Sequence, residues 1–213
     1  TLFDAFTSSP APAASAPKGQ RTFAEGGYSV WRTSTPHGEA MFAIDHAPLG
    51  FLSIAAHGHA DALAVWLHIG GQPMIIDAGT YLYHTHTDAR DRFRGTLAHN
   101  TLCLDGQDQS RIAGPFNWSQ HANARLRTPA PNFSAEHDGY LASHGIRHVR
   151  SVQVDGARIV ITDALDGTLA APARWSAGYT FHQDAKIEAT SNGALVTAPN
   201  GAHVRIAMTL ANP

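Results

Sequence analysis

Turn dipeptides constrain this chain more than any other feature. Gly70-Gly71 separates the apolar run at residues 63–69 from residues 73–77, and Asp155-Gly156 separates 148–154 from 158–162. Asn192-Gly193 divides 186–190 from 194–197, and Asn200-Gly201 precedes 203–210. Such pairs accept the positive φ angles of two-residue hairpin turns, so the flanking runs pair antiparallel in a meander. Residues 28–33 and 40–44 add further short runs of strand character. After Gly19 no segment keeps apolar residues at i, i+3, i+4 and i+7 over three turns, which argues against a helical domain. The predicted fold is all-β, a two-layer antiparallel β-sandwich with little helix. Val65, Leu67 and Ile69 would share its core face, with Trp66 and His68 on the other.

With 213 residues, 43% of them hydrophobic, the chain can bury one substantial core, and residues 20–213 are read as one domain. Residues 1–19 stand apart. Their Pro/Ala/Ser-rich stretch at 8–18 has the composition of an exposed linker, and Leu2, Phe3 and Phe6 before it suit docking on a neighbouring domain. No apolar stretch reaches the roughly 20 residues of a membrane span. A formal charge of -2 points away from nucleic acid and anionic membrane as partners. Cys103, the single cysteine, lies in an apolar run and reads as a small buried hydrophobe.

Fourteen histidines nearly equal the fifteen lysines and arginines, and the densest chemistry lies at residues 57–108. It opens with His57-Gly58-His59-Ala60-Asp61. Asp77 ends an apolar strand, where a carboxylate is costly to bury unless it is paired or bound to a cation. His99 is expected to open a further strand. On a strand His57 and His59, two apart, would face the same side. Two imidazoles and a carboxylate form a zinc set with an open position, although a His-x-His pair equally suits satisfied surface histidines. Asp61 either fixes the tautomer of a neighbouring histidine or serves as a turn residue.

Four blocks run in order here. They are His57-Gly58-His59-Ala60-Asp61, then Asp77-Ala78-Gly79-Thr80-Tyr81-Leu82-Tyr83, then Arg94-Gly95-Thr96-Leu97-Ala98-His99-Asn100-Thr101, then Asp105-Gly106-Gln107-Asp108-Gln109. Together they resemble the signature region of heparinase II/III-like polysaccharide lyases. The resemblance implies a sandwich of the lyase supersandwich kind, in which His59, Asp77 and His99 hold zinc or another divalent cation, with Asp61 behind them. It implies that His57 faces the cleft and that Tyr81 and Tyr83 are catalytic candidates, packing beside the metal being their other reading. Arg94 and Asn100 become substrate-binding candidates, though Arg94 equally suits bracing the Asp77 region and Asn100 a backbone-bonding role.

The resemblance further implies β-elimination of a uronate-containing polysaccharide, with an N-terminal α/α-toroid domain of the same protein completing the cleft. The isolated chain is then expected to show little lyase activity. Periplasmic or secreted location follows from where such polymers occur. A two-carboxylate glycosidase is less well matched, since no Glu occurs in residues 57–108. Two alternatives stand beside this reading. One is a cupin-like metalloenzyme, although the Glu expected after the His-x-His pair is missing. The other is a noncatalytic polysaccharide-binding or support domain using Trp66, Trp118 or Trp175.

Overall fold

A computed structural model describes residues 17–84, 87–129 and 131–209, so the expected linker at 8–18 lies almost wholly outside the described residues. Strands β1 (Gly19–Phe23), β2 (Tyr28–Thr35), β3 (Gly38–Asp45), β4 (Val65–Ile69) and β5 (Gln72–Ile75) form a five-stranded antiparallel sheet in chain order. Short strands follow as β6 (Leu102–Leu104), β7 (Arg111–Gly114) and β8 (Asn117–Gln120). A second sheet runs β12-β11-β10-β9, from β9 (Ala124–Thr128), β10 (Phe133–His137), β11 (Ile146–Asp155) and β12 (Arg158–Gly167). β13 (Trp175–Ala177) pairs with β6, while β14 (Lys186–Thr190), β15 (Gly193–Thr197) and β16 (His203–Ala207) make a small sheet of their own.

The two larger sheets enclose the core. Trp31, Phe42, Ile44, Val65, Leu67 and Ile69 from the first meet Phe133, Ala135 and Val152 from the second, and β15 adds Val196. Trp31 stands edge-on to Phe133 at 5.3 Å. The alternation expected along β4 is present: Val65, Leu67 and Ile69 are buried, while Trp66 packs beside Tyr28 on the opposite face. The fold is thus the all-β sandwich that the turn signals predict. No helix among the described residues is long and apolar enough to cross a membrane.

Two turns sit one residue away from their expected places. Asp155 pairs with Arg158, so the β11–β12 turn is Gly156-Ala157, with Gly156 at φ 57°. Thr190 pairs with Gly193, so Ser191-Asn192 makes the turn and Gly193 opens β15. A Cβ on Gly193 would strike the carbonyl oxygen of Ile206, so this glycine serves close approach between strands. Gly70-Gly71 behaves as expected, with φ of 58° and 76° at both turn positions.

Helix α1 (Thr87–Arg94) is eight residues long and has no apolar stripe. Its inward face carries Arg90 and Arg94, four apart and both buried, so hydrophobic periodicity could not announce it. The second helix, α2 (Leu141–His144), is a single turn stopped by Gly145 at φ 74°.

Candidate metal centre and cleft

Three irregular segments build the site: residues 46–64 between β3 and β4, residues 76–84 after β5, and residues 95–101 before β6. His57 and His59 therefore lie on a folded connection and not on the expected strand. His99 likewise follows a 3-10 turn at Thr96–Ala98 and precedes β6 without joining it. The two histidines consequently diverge. His57 is exposed, whereas His59 turns inward toward His99, with ring centroids 5.2 Å apart.

Polar side chains hold these segments together through backbone groups that strands would otherwise satisfy. Thr96 Oγ1 donates to Ala60 O at 2.9 Å and Thr101 Oγ1 to Ala62 O at 2.8 Å. Gln109 Nε2 also donates to Ala62 O, at 3.1 Å. Asn100 Nδ2 donates to Val65 O and Ile76 O at 2.9 and 2.7 Å, and its Oδ1 accepts from Thr180 N at 2.7 Å. Asn100 is buried with its amide fully engaged, so the substrate-binding expectation gives way to a structural one.

His59, Asp61 and His99 offer ligand atoms that all lie within 4.8 Å of one another. His99 Nδ1 stands 2.6 Å from Asp77 Oδ2, while Asp77 Oδ1 accepts from Gly79 N at 2.8 Å. His99 Nε2 is buried and has no hydrogen-bond partner. His59 Nε2 lies 3.4 Å from Thr80 Oγ1. Two members of the expected trio, His59 and His99, thus converge with Asp61, and the third, Asp77, meets this group through His99. Two ligand atoms on one tetrahedral zinc would stand about 3.3 Å apart, so the His99–Asp77 contact is a charge-assisted hydrogen bond here.

The electrostatics follow from this packing. Burial, helped by the charge of His99, pushes His59 down to about 4 against the pull of Asp77. Burial also lifts Asp61 to about 6, with the Asp77 carboxylate adding to the rise and His99 opposing it. Burial works to raise Asp77 as well. There the hydrogen bond and charge of His99 prevail and hold the carboxyl below its ordinary range. His59 is therefore kept neutral, the form in which an imidazole binds a metal.

The other expected residues divide. His57 meets Tyr83 edge-on at 5.3 Å, and Tyr83 is 41% exposed. Tyr81 stacks on Phe93 of α1 at 5.3 Å and takes φ 68°, an uncommon backbone state for a bulky residue. Arg94 is a correction. It is buried, bonds Asp91 Oδ1 at 2.6 and 2.9 Å and the carbonyls of Gly114 and Pro115 at 2.7 and 3.2 Å, and lies over the Trp118 ring. Its guanidinium braces α1 against the β7–β8 hairpin and contacts neither a cleft nor Asp77. Trp118 in turn donates to Ala55 O at 3.0 Å, so it belongs to the packing and not to a sugar face.

Similarity to known proteins agrees with this architecture. The family described as Heparinase II/III-like, C-terminal matches residues 15–211. No curated protein sequence matches the chain significantly. Among solved structures, a heparan sulfate lyase from Pedobacter heparinus superposes with TM-score 0.72 at 19% identity, covering 94% of this chain and 30% of its own. A heparinase III superposes with TM-score 0.70 at 21% identity, covering 90% and 28%. Another heparinase III gives TM-score 0.66 at 18% identity, covering 89% and 29%. At such identities the likeness is one of fold, and the chain spans less than a third of each of these proteins. The match over nearly the whole sequence sets the cupin-like alternative aside. This chain belongs to the heparinase II/III-like C-terminal domain family.

Proposed function

We propose that the chain forms one wall of a lyase active site that breaks uronate-containing polysaccharide by β-elimination. In this reading His59, Asp77 and His99 hold a divalent cation, with Asp61 beside them. The observation that carries it is the convergence of ligand atoms of His59, Asp61 and His99 within 4.8 Å of one another, with Asp77 at 2.6 Å from His99 Nδ1 and the other ring nitrogen of His99 buried without a partner. An orphaned buried ring nitrogen costs about 1–3 kcal/mol unless something completes it. Nitrogen and oxygen donors of this kind suit zinc.

In β-elimination a base removes the proton beside the uronate carboxylate, the neighbouring glycosidic C–O bond breaks, and an unsaturated uronate remains. Negative charge grows on the carboxylate as the proton leaves, and donors placed there lower the barrier. His57 is the exposed imidazole that can donate to that carboxylate or carry the proton. Tyr83 lies against it and Tyr81 stands two residues earlier on the same segment, stacked on Phe93, both more than two-fifths exposed. The bound cation would supply cross-linking of the three segments that present these groups. An α/α-toroid domain of the same protein supplies the facing wall, and the periplasm or the exterior is where such a polymer is met.

The test compares two variants in the complete protein. His59→Ala should lower both metal content by elemental analysis and melting temperature, whereas His57→Ala should spare both and abolish the ultraviolet absorbance of unsaturated product. Equal metal content in wild type and His59→Ala removes His59 from the ligand set. Full turnover by His57→Ala would instead support the noncatalytic alternative.

A further inference from the structure

A second cluster adjoins His57; Tyr83 belongs to the signature blocks, whereas Phe116 and Arg90 lie outside them. Phe116, in the turn between β7 and β8, is 38% exposed, and its ring lies 6.1 Å from that of Tyr83 at an interplanar angle of 29°. His57 closes the group, with ring centroids 5.3 Å from Tyr83 and 6.1 Å from Phe116. Arg90 of α1 packs against both aromatic rings, its guanidinium carbon 4.7 Å from the Phe116 centroid and 5.4 Å from that of Tyr83. Its side chain donates to the carbonyl of Pro115, which fixes the guanidinium in place.

The surroundings of Arg90 are unusual for a cation. It is only 4% exposed, and its Nε is buried without a partner. The nearby carboxylate of Asp91 is engaged by Arg94 at 2.6 Å instead. Among the described residues no acidic side chain forms an ion pair with Arg90. A buried cation that meets a carbonyl and two rings, with the Arg94–Asp91 pair alongside but no carboxylate of its own, is costly, and water screens it poorly. Its field is therefore felt at the adjacent surface, where His57, Tyr83 and Phe116 are exposed.

Two exposed aromatic rings held 6.1 Å apart at a small interplanar angle offer apolar surface to a ligand, while a fixed positive charge against them favours an anion nearby. A pyranose carrying a carboxylate meets both demands: its axial C–H face packs on the rings and its charge answers the guanidinium. A neutral sugar meets only the first. We propose that Tyr83 and Phe116 form a shelf that seats one anionic pyranose of an oligosaccharide, with His57 at its edge and Arg90 as the buried counter-charge. This rests on the reading that His57 faces polysaccharide, and it adds the residues that hold the ring there.

Calorimetric titration of the zinc-loaded chain with two probes tests it, one a glucuronate-containing hexasaccharide and the other a neutral β-linked hexasaccharide. The anionic probe should bind more tightly, and rising salt should narrow the difference. Phe116→Ala should weaken the anionic probe by about tenfold or more, a loss the size of one buried aromatic contact, with zinc content and melting temperature unchanged. Phe116→Tyr should restore it. Arg90→Met should bring the two probes to equal affinity, and Arg90→Lys should retain the preference. Wild-type affinity in Phe116→Ala, equal affinity of wild type for both probes, or no binding of either probe overturns the shelf. Failure of the lyase reading looks different: His57→Ala would turn over normally while the shelf still bound its sugar.

Discussion

Arg150 on β11 donates to the carbonyl oxygen of Asn100 at 2.8 Å, joining the second sheet to the segment that presents His99. The same nitrogen reaches Leu63 O at 2.8 Å, on the segment that presents His59 and Asp61. Asp163 on β12 fixes the guanidinium from behind with contacts of 2.7 and 2.8 Å. One buried cation thus ties two of the site's three segments to the opposite layer. Removing one partner of a buried ion pair typically costs about 3–5 kcal/mol, because the other is left charged and alone. Arg150→Met is expected to lose that much in urea unfolding and to hold its cation less tightly. Arg150→Met combined with Asp163→Leu should recover part of the stability and none of the cation affinity.

The network continues through two histidines with defined tautomers. Gly139 N–H donates to His137 Nδ1 at 3.1 Å, so the ring proton sits on Nε2 and faces His148 Nδ1 at 3.1 Å. His148 Nε2 then donates to Asp163 Oδ1 at 2.7 Å. Every hydrogen bond points one way, and both rings are neutral. Burial holds both below the ordinary histidine value, His137 well below it. The unfolded chain therefore binds protons that the folded chain refuses. These residues cost nothing above about pH 6.5, and each costs up to about 1.4 kcal/mol for every pH unit below it. His137→Gln, measured by urea unfolding at several pH values, should show a shallower acid slope than wild type.

Asp45 carries the opposite sign. Burial, with the carboxylate of Asp61 adding to it, raises its carboxyl to about 7. The folded state keeps this proton longer than the unfolded chain does, so stability falls as pH climbs from about 4 through 7. Asp45→Asn removes the ionisation and retains an oxygen for the 2.7 Å bond from Ala47 N. Relative to wild type it should gain on the order of 2–4 kcal/mol between pH 5 and pH 8. A difference that does not change with pH would show that Asp45 titrates alike in both states.

Much of this structure is written in short-range signals, and what escaped them has physical causes. The sandwich followed from turn dipeptides and from alternation such as Val65-Trp66-Leu67-His68-Ile69, because a period of two shows within five residues. Helix α1 escaped because its inward face is arginine, and the carbonyls of Gly114 and Pro115 that those arginines meet lie twenty or more residues on, where no local pattern reveals them. The ordered blocks gathered His59, Asp77 and His99, yet Asp61 ranked below its place because a carboxylate in a turn looks ordinary until folding buries it. Arg94 misled for the converse reason. Its type suited a uronate, but Asp91, three residues earlier on the same helix, already occupied it. Phe116 and Arg150 could be found only in three dimensions, since Phe116 meets His57 and Tyr83 and Arg150 meets Leu63 and Asn100, all more than thirty residues away.

Gly58 supplies the sharpest test of how the site depends on its loop. It separates His57, which faces outward, from His59, which faces His99, and a Cβ placed on it would collide with the carbonyl oxygen of Leu49. That oxygen belongs to the backbone and cannot rotate aside, so Gly58→Ala must displace the connection itself. A side chain forced into packed backbone costs about 1–3 kcal/mol, and the shift is passed directly to the imidazoles on both sides. Gly58→Ala is therefore expected to lower cation occupancy nearly as far as His59→Ala, although every proposed ligand remains. Gly71→Ala is the control. Gly71 has open space where its Cβ would go and lies in the distant β4–β5 turn, so its positive φ should cost about 1 kcal/mol of stability and leave the cation in place. Full occupancy in Gly58→Ala would mean that the loop holds His59 by contacts other than this close approach.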